Sequence, residues 1–238
     1  MNIPGKKTEA EFIARLNRFV AKVQLKNEII DVHVPNSGRL RELLAPGARV
    51  ILREATSHVR KYKYDVIMAY KDNELISIDS QLPNKFMLDL LTKTDEILYK
   101  HTELKKLLRF TYIKPDVRYK NSRFDLGLGE NKKVLYYAEI KGVTLVEDHI
   151  AFFPDAPTER GTKHLEELIE AKLEGFGAGV IFVIQRQGAE CFAPNDGMDP
   201  AFGKALRRAV SAGVDVFPLR CSIKPDEIMF KDLVQLKL

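Results

Sequence analysis

Asp125, Glu139 and Lys141 are the residues whose types and spacing suit them to work on a phosphodiester. They share one segment, RFDLGLGENKKVLYYAEIK, in which two strand-like runs flank the polar stretch Gly129-Glu130-Asn131-Lys132-Lys133. A hairpin centred on Lys132 sets Asp125 opposite Glu139, Phe124 opposite Ile140 and Leu126 opposite Ala138. Side chains alternate along a strand, so Phe124, Leu126, Leu128, Tyr136, Ala138 and Ile140 share one face, which reads as core. Arg123, Asp125, Tyr137, Glu139 and Lys141 share the other. Two carboxylates opposed across a ladder repel. A divalent cation between them removes the repulsion, and oxygen ligands favour Mg2+ or Mn2+. Lys141 is then placed to stabilise charge developing on a phosphate or to orient a water. Acid-x-Lys is a weak pattern alone: Glu103-Leu104-Lys105 and Glu170-Ala171-Lys172 have it too, in helical surroundings where solvated charge is ordinary. Glu139-Ile140-Lys141 differs in lying on an apolar strand with Asp125 in register, a pairing that a bulge would spoil.

The elements around this hairpin have α/β texture. Leu88, Leu91 and the stretch 104–108 have helical spacing, and strand-like runs follow at 123–128 and 134–145. Leu165, Leu168, Ile169 and Leu173 form an apolar stripe, which predicts an amphipathic helix over 159–174. GVIFVIQ, residues 179–185, is a continuous apolar run expected of a strand covered on both faces. Asp199-Pro200 opens a further helix with Phe202, Leu206, Ala209 and Val210 inward, and residues 214–219 form a strand.

Residues 15–80 read instead as short strands. Phe19, Ala21, Val23 and Leu25 alternate with polar neighbours, Val32, Val34, Val50 and Leu52 follow, and Lys71-Asp72-Asn73-Glu74 is a hairpin turn. A short helix is expected from Arg39 to Leu44, closed by Pro46-Gly47. About five strands around one small helix fit an OB-like barrel, although an SH3-like barrel or a plain meander has the same pattern. The predicted division is 1–83 for this β domain and 84–238 for the α/β domain.

The chain has 238 residues, 45% hydrophobic, enough for a sizeable core. Its net charge of +5 permits a polyanionic partner without requiring one. The two cysteines, Cys191 and Cys221, lie in apolar surroundings without metal-ligand spacing and read as buried thiols of a reducing compartment. With no apolar run long enough for a bilayer and no signal-peptide pattern at the N-terminus, the expected location is the cytoplasm.

Several basic residues are candidate nucleic-acid contacts. Arg160 and His164 lie four apart near the start of the 159–174 helix with Lys163 beside them, where a helix N-terminus suits a phosphate and a solvated helix start is the plain alternative. Arg60-Lys61-Tyr62-Lys63-Tyr64 interleaves cations with aromatics; on a strand the tyrosines stack bases and Arg60, Lys61 and Lys63 neutralise phosphates, or else the tyrosines simply pack inward. Asn36-Ser37-Gly38-Arg39 is a tight turn whose amides could cradle a phosphate, with Arg39 beside it. Gln185-Arg186 ends the buried strand, and Glu147-Asp148-His149 reads as a turn.

Asp125 with Glu139-Ile140-Lys141 resembles the signature of the PD-(D/E)XK nuclease superfamily; Pro115-Asp116 competes for its first acid, but Asp125 has the register with Glu139. More closely, the chain is similar to the sugar fermentation stimulation protein family, on HVPNSGRL (33–40), DSQLPN (79–84), Ser122 to Asp125, AEIKGVTL (138–145), FPDAPTERGTKHL (153–165) and Ala193-Pro194-Asn195. The resemblance implies an N-terminal OB-like domain joined to a nuclease-like α/β domain. It also implies DNA binding without sequence preference and a regulatory role in sugar (maltose) metabolism. The superfamily implies a metal-dependent nuclease with Asp125 and Glu139 as ligands and Lys141 at the phosphate. The alternatives are a non-catalytic DNA-binding regulator and a protein that handles a small phosphorylated ligand. No helix-turn-helix or other base-reading module is evident, so strong sequence specificity is not expected.

Overall fold

The computed structural model describes residues 1–55, 59–93, 98 and 100–238. Six strands build the N-terminal unit: β1 (Lys7–Asn17), β2 (Val20–Leu25), β3 (Glu28–His33), β4 (Arg49–Glu54), β5 (Tyr64–Lys71) and β6 (Glu74–Ser77). They pair in the order β3-β2-β1-β4-β5-β6, and a parallel bridge between His33 and Asp65 closes the first five into a barrel. Register shifts in β1 after Phe12 and Arg15 give the curvature that closure needs. The alternation read from the sequence is the barrel's inside: Ala21, Val23, Val32, Val34, Val50 and Leu52 are buried in one cluster with Phe12 and Val66. Phe19, by contrast, is exposed.

Two local expectations fail here. Arg39 to Leu44 is a single turn and not a helix: Leu40 takes a left-handed φ of 49°, and the amides of Leu43 and Leu44 both donate to its carbonyl. The stretch Arg60 to Lys63 is irregular chain, with β5 starting only at Tyr64. Arg60 is drawn inward to Asp65, so its side chain follows an ion pair and not a strand alternation.

The C-terminal unit runs α1 (Leu82–Thr92), α2 (Lys105–Leu108), β7 (Tyr112–Tyr119), β8 (Ser122–Glu130), β9 (Lys133–Val143), β10 (Val146–Glu147), β11 (Ile150–Phe153), α3 (Glu159–Leu173), β12 (Gly177–Ile184), β13 (Cys191–Pro194), α4 (Pro200–Ser211), β14 (Asp215–Lys224), β15 (Glu227–Leu233) and β16 (Gln235–Leu236). The main sheet has the order β15-β14-β12-β9-β8-β7, with β9, β12 and β14 mutually parallel and the outer strands antiparallel. A smaller sheet, β10-β11-β13-β16, lies beside it.

On one face of the main sheet, α3 and α4 bury Leu165, Leu168, Ala171, Phe202 and Leu206 against Phe182 and Ile184. On the other, α1 and the barrel bury Phe86, Met87, Ile51, Ile67 and Met68 against Leu126, Ala138, Ile181 and Leu219. The two units therefore share a core. Glu74 fastens them further, accepting from the Arg186 guanidinium and the Gly188 amide. The chain's first residues lie on the C-terminal sheet, where Asn2 bridges Glu227.

The buried side of α3 is Gly161, His164, Leu165, Leu168 and Ala171, while Leu173 points out at 78% exposure. The expected stripe is thus right in its first half; its last member lies in the final turn, past the edge of the packed face. The start of α3 is pinned by Asp199, the N-cap of α4, whose carboxylate accepts from the amides of Phe202 at 3.0 Å and Thr158 at 2.8 Å. Thr158 in turn caps Gly161 at 3.0 Å. Both cysteines are buried and free. No helix among the described residues is long and apolar enough to cross a membrane.

Candidate functional site

The β8–β9 hairpin turns at Asn131-Lys132, both left-handed with φ of 50° and 62°. Glu130 pairs with Lys133 and Gly129 with Val134; a bulge follows, and Leu128 then faces Tyr136 and Leu126 faces Ala138. The bulge restores the register expected from a turn centred on Lys132. The ladder stops at Leu126. One residue on, the Asp125 side chain takes over the pairing, its Oδ2 accepting the Ile140 N–H at 2.8 Å.

Leu126, Leu128, Tyr136, Ala138 and Ile140 share one core face, as predicted, but Phe124 does not join them. It packs in the opposite layer with Val117 and Tyr137, its ring 6.1 Å from that of His164. The alternation breaks at Asp125, beside a partner strand that itself has Asp116 at a positive φ of 51°. The face with Glu139 is therefore covered by α3 and not open to solvent.

Glu139 is 3% exposed. Its Oε1 accepts from Lys141 Nζ at 2.6 Å and His164 Nδ1 at 2.5 Å. Its Oε2 is buried with no hydrogen-bond partner. Such an atom carries a desolvation cost that nothing in the chain offsets. Asp125 is tied by Asn84, whose Nδ2 donates to Oδ1 at 2.7 Å. Burial, and then the charge of Glu139, push the Asp125 carboxyl above its ordinary range. Burial acts on Glu139 in the same sense, but the His164 and Lys141 hydrogen bonds and charges outweigh it and hold Glu139 below its ordinary range. The two acids are driven apart in proton affinity, as expected where they have different tasks.

The other predicted contacts divide. Arg160 is exposed at the rim of a cleft of about 350 Å³ that Asp125, Asn84 and Arg123 also line. His164 is no phosphate contact: it is 4% exposed, Nδ1 faces Glu139, and Nε2 lies 3.4 Å from Arg160 Nε. The helical face that carries His164 is the packed one. Arg39 is exposed beside a second cleft of about 650 Å³ with Arg15, Arg18 and Arg41. Arg60 is bound to Asp65 and His33. Lys61 and Lys63 are exposed, the latter 3.4 Å from Glu54. Asp116, the competing acid, is exposed, paired to Arg123 and part of the lining of the same cleft as Asp125.

Sequence reasoning missed Asn84 as a partner of Asp125, although Asn84 stands in the quoted DSQLPN segment just after Pro83 in the first turn of α1. It also missed Arg15, whose guanidinium donates to the carbonyls of Asn36 at 2.7 Å, Gly38 at 2.6 Å and Arg39 at 2.9 Å and so builds the 36–39 turn.

The donors and acceptors present fit a hard divalent cation. The orphaned Glu139 Oε2 and the neighbouring Asp125 carboxylate offer hard oxygen donors, and their two negative charges would match one divalent cation. Among the described residues no group of three or more His, Cys, Asp or Glu side chains surrounds one point, so water or substrate would complete the shell, as is usual for Mg2+.

Comparison with known proteins places this geometry in context. The family described as "Sugar fermentation stimulation protein RE domain" matches residues 81–227, and "SfsA N-terminal OB domain" matches residues 13–78, which assigns the barrel to the OB type. A sugar fermentation stimulation protein homolog of Clostridium tetani is 48% identical over 96% of each chain. One from Clostridium botulinum strain Kyoto is 45% identical over the full length of both. The solved structure titled as Pyrococcus furiosus SfsA in complex with Ca2+ superposes with a TM-score of 0.86 at 25% identity, covering 100% of this chain and 98% of the other.

Proposed function

From the premise that this chain belongs to the sugar fermentation stimulation protein family, we propose that it is a metal-dependent phosphodiester hydrolase acting on DNA without strong sequence preference. One observation carries the reading. Glu139, buried at the junction of sheet and helix, keeps one carboxylate oxygen saturated and the other bare, next to an Asp125 whose proton affinity is raised by burial and then by the Glu139 charge. The archaeal relative's Ca2+ complex supports a hard-cation site in this fold. A bound Mg2+ or Mn2+ would supply Lewis-acid polarisation of the phosphate and offset the two carboxylates. Hydrolysis adds water to phosphorus and breaks one P–O ester bond, and the leaving oxygen ends with a proton. Lys141 Nζ, fixed by Glu139, places a positive charge where the phosphate's negative charge grows. His164 locks the Glu139 rotamer: with Nε2 facing the Arg160 N–H, the ring proton sits on Nδ1 and is donated to Glu139. Asn84 does the same for Asp125. Arg160 and Arg39 are cationic rims for the backbone.

Purified protein incubated with linear, circular and single-stranded DNA and Mg2+ or Mn2+ is expected to degrade at least one substrate, with EDTA and Glu139→Ala each abolishing it. Intact substrates throughout, or cleavage indifferent to Glu139→Ala, would sink the proposal.

A second reading, a DNA-binding regulator of sugar (maltose) metabolism without turnover, is favoured by one detail: both Asp125 oxygens already have donors. It predicts salt-sensitive binding that survives Glu139→Ala and needs no metal.

A further inference from the structure

Between the barrel and the α/β unit lies a pocket of about 190 Å³ that the chemistry above does not use. Its walls come from five separated segments, within 36–40, at Ser80, over 142–145, within 152–155 and at Gln185. All of them fall in or beside stretches quoted above, Gln185 as the end of the buried apolar strand.

Gln185 is 1% exposed and lines this pocket. Its Oε1 is buried without a partner. Only its backbone is engaged, its N–H donating to Val143 O at 2.9 Å and its carbonyl accepting from Ser77 N at 3.2 Å. A buried amide costs free energy unless its hydrogen bonds are made. Gly142 keeps the space in front of it open, since a Cβ there would stand 3.0 Å from Gln185 Nε2 and 3.0 Å from Pro83 Cγ. Asn36 and Ser80 are already committed to the carbonyls of Ile78 and Pro35. The groups left for a ligand are the Gln185 amide, the Asp155 carboxyl and the hydroxyls of Ser37 and Thr144, flanked by Phe152 and Phe153.

The chemistry of the walls selects the occupant. No Lys or Arg side chain lines the pocket, so a phosphate or other anion gains nothing there. The volume, set against about 30 Å³ per liquid water, holds one ring-sized ligand and falls below that of a drug-sized site. The Gln185 amide and the Asp155 carboxyl, both in the walls, supply the mixed donors and acceptors that the edge of a heterocyclic base requires. Gly142 follows Lys141 on β9 and, by strand alternation, faces the other side of the sheet, toward Pro83 and Gln185.

We propose that this pocket takes one unpaired nucleobase of a bound DNA strand, making single-stranded or frayed DNA the preferred substrate; this rests on the nuclease reading above. A base inserted between the two domains cannot at the same time be paired with a complementary strand.

The test uses the full chain in EDTA, where no turnover occurs. Fluorescein-labelled single-stranded oligonucleotides, intact or with one abasic site at each position in turn, are titrated by anisotropy. For the wild type one position is expected to lose about 10-fold in affinity when its base is removed. In Gln185→Leu that loss disappears while the salt dependence of binding is unchanged. Because the Gln185 amide is unpaired, Gln185→Leu should not lower the Tm. Asp155→Asn, at another residue of the lining, reads the same position if Gln185→Leu fails to fold. Binding that is indifferent to abasic sites, or a positional loss that both variants retain, overturns the base pocket and leaves the nuclease reading standing. Thermal stabilisation by a monosaccharide, lost in Gln185→Leu, overturns it in favour of a polyol pocket. Absence of oligonucleotide binding at low salt defeats both readings together.

Discussion

Asp65 in the barrel and Glu139 in the sheet are equally buried, each 3% exposed, yet their surroundings are opposite. Asp65 is finished. Its Oδ1 faces His33 and Arg60, each at 2.8 Å, and its Oδ2 faces Arg60 at 3.0 Å and Arg53 at 3.2 Å. Burial alone would raise its proton affinity, but those hydrogen bonds win and hold it below the ordinary range. Glu139 is unfinished, with two donors on one oxygen, none on the other and a second acid alongside. Burial alone therefore does not tell the two carboxylates apart. What sets Glu139 apart in the proposed reading is an oxygen left without a donor next to a second acid, since Glu42 and Glu167 also bury an unpaired oxygen.

The comparison breaks most visibly in activity. Glu139→Gln is expected to lower DNA cleavage by about 10³-fold or more, whereas Asp65→Asn leaves the cleavage rate at 25 °C unchanged. Equal losses in the two variants would erase the distinction.

Stability should show the reverse. Asp65→Asn takes the carboxylate from Arg60 and leaves Arg53 with Asp79 alone, at an expected cost of about 3 kcal/mol and a Tm lower by roughly 6–12 °C in thermal melts. Since the folded state holds the Asp65 carboxyl below its ordinary range, this stabilisation is present above that range. It is lost as pH falls through the lowered value, so the Tm gap should close in acid.

Asp125 sharpens the contrast through the opposite sign. Its raised proton affinity means the folded state binds more protons than the unfolded one, so its charge weighs against folding above the raised value. In EDTA at neutral pH, Asp125→Asn should melt above the wild type, and the gain should vanish on acidification through that value. Over the same window, Mg2+ or Mn2+ affinity of the wild type, measured by calorimetry, should weaken as protons compete.

The smallest effect belongs to Arg160 at the rim. Arg160→Ala should reduce DNA affinity a few-fold and lower the salt slope by about one, without changing which sequences bind.

Much of this was legible along the chain. Ala21 and Val23, Val50 and Leu52 announced the barrel because a small barrel has an inside and an outside, and period-two alternation survives wherever that is so. The continuous run of β12 announced a central parallel strand for the complementary reason, having two insides. The register of Leu126 with Ala138 could be read from a turn whose residues tolerate positive φ. Phe124 was misread because alternation assumes an unbroken strand and Asp125 breaks it. Arg60 to Tyr64 looked like a strand because cation–aromatic alternation mimics one, when an ion pair to Asp65 dictates its path.

The sequence by itself determined most element types, the family and the meeting of Asp125, Glu139 and Lys141 at one hairpin, because each rests on local spacing: two residues from Glu139 to Lys141, a hairpin from Asp125 to Glu139. Only the tertiary structure decided what completes them. Asn84 reaches Asp125 from another element 41 residues away, and His164 reaches Glu139 from 25 residues away. The empty oxygen of Glu139 and the unpaired amide of Gln185 exist only once α3 and the barrel have closed over the sheet. An unfilled hydrogen bond is a property of an enclosure, and enclosure by distant segments leaves no period in the chain that makes it.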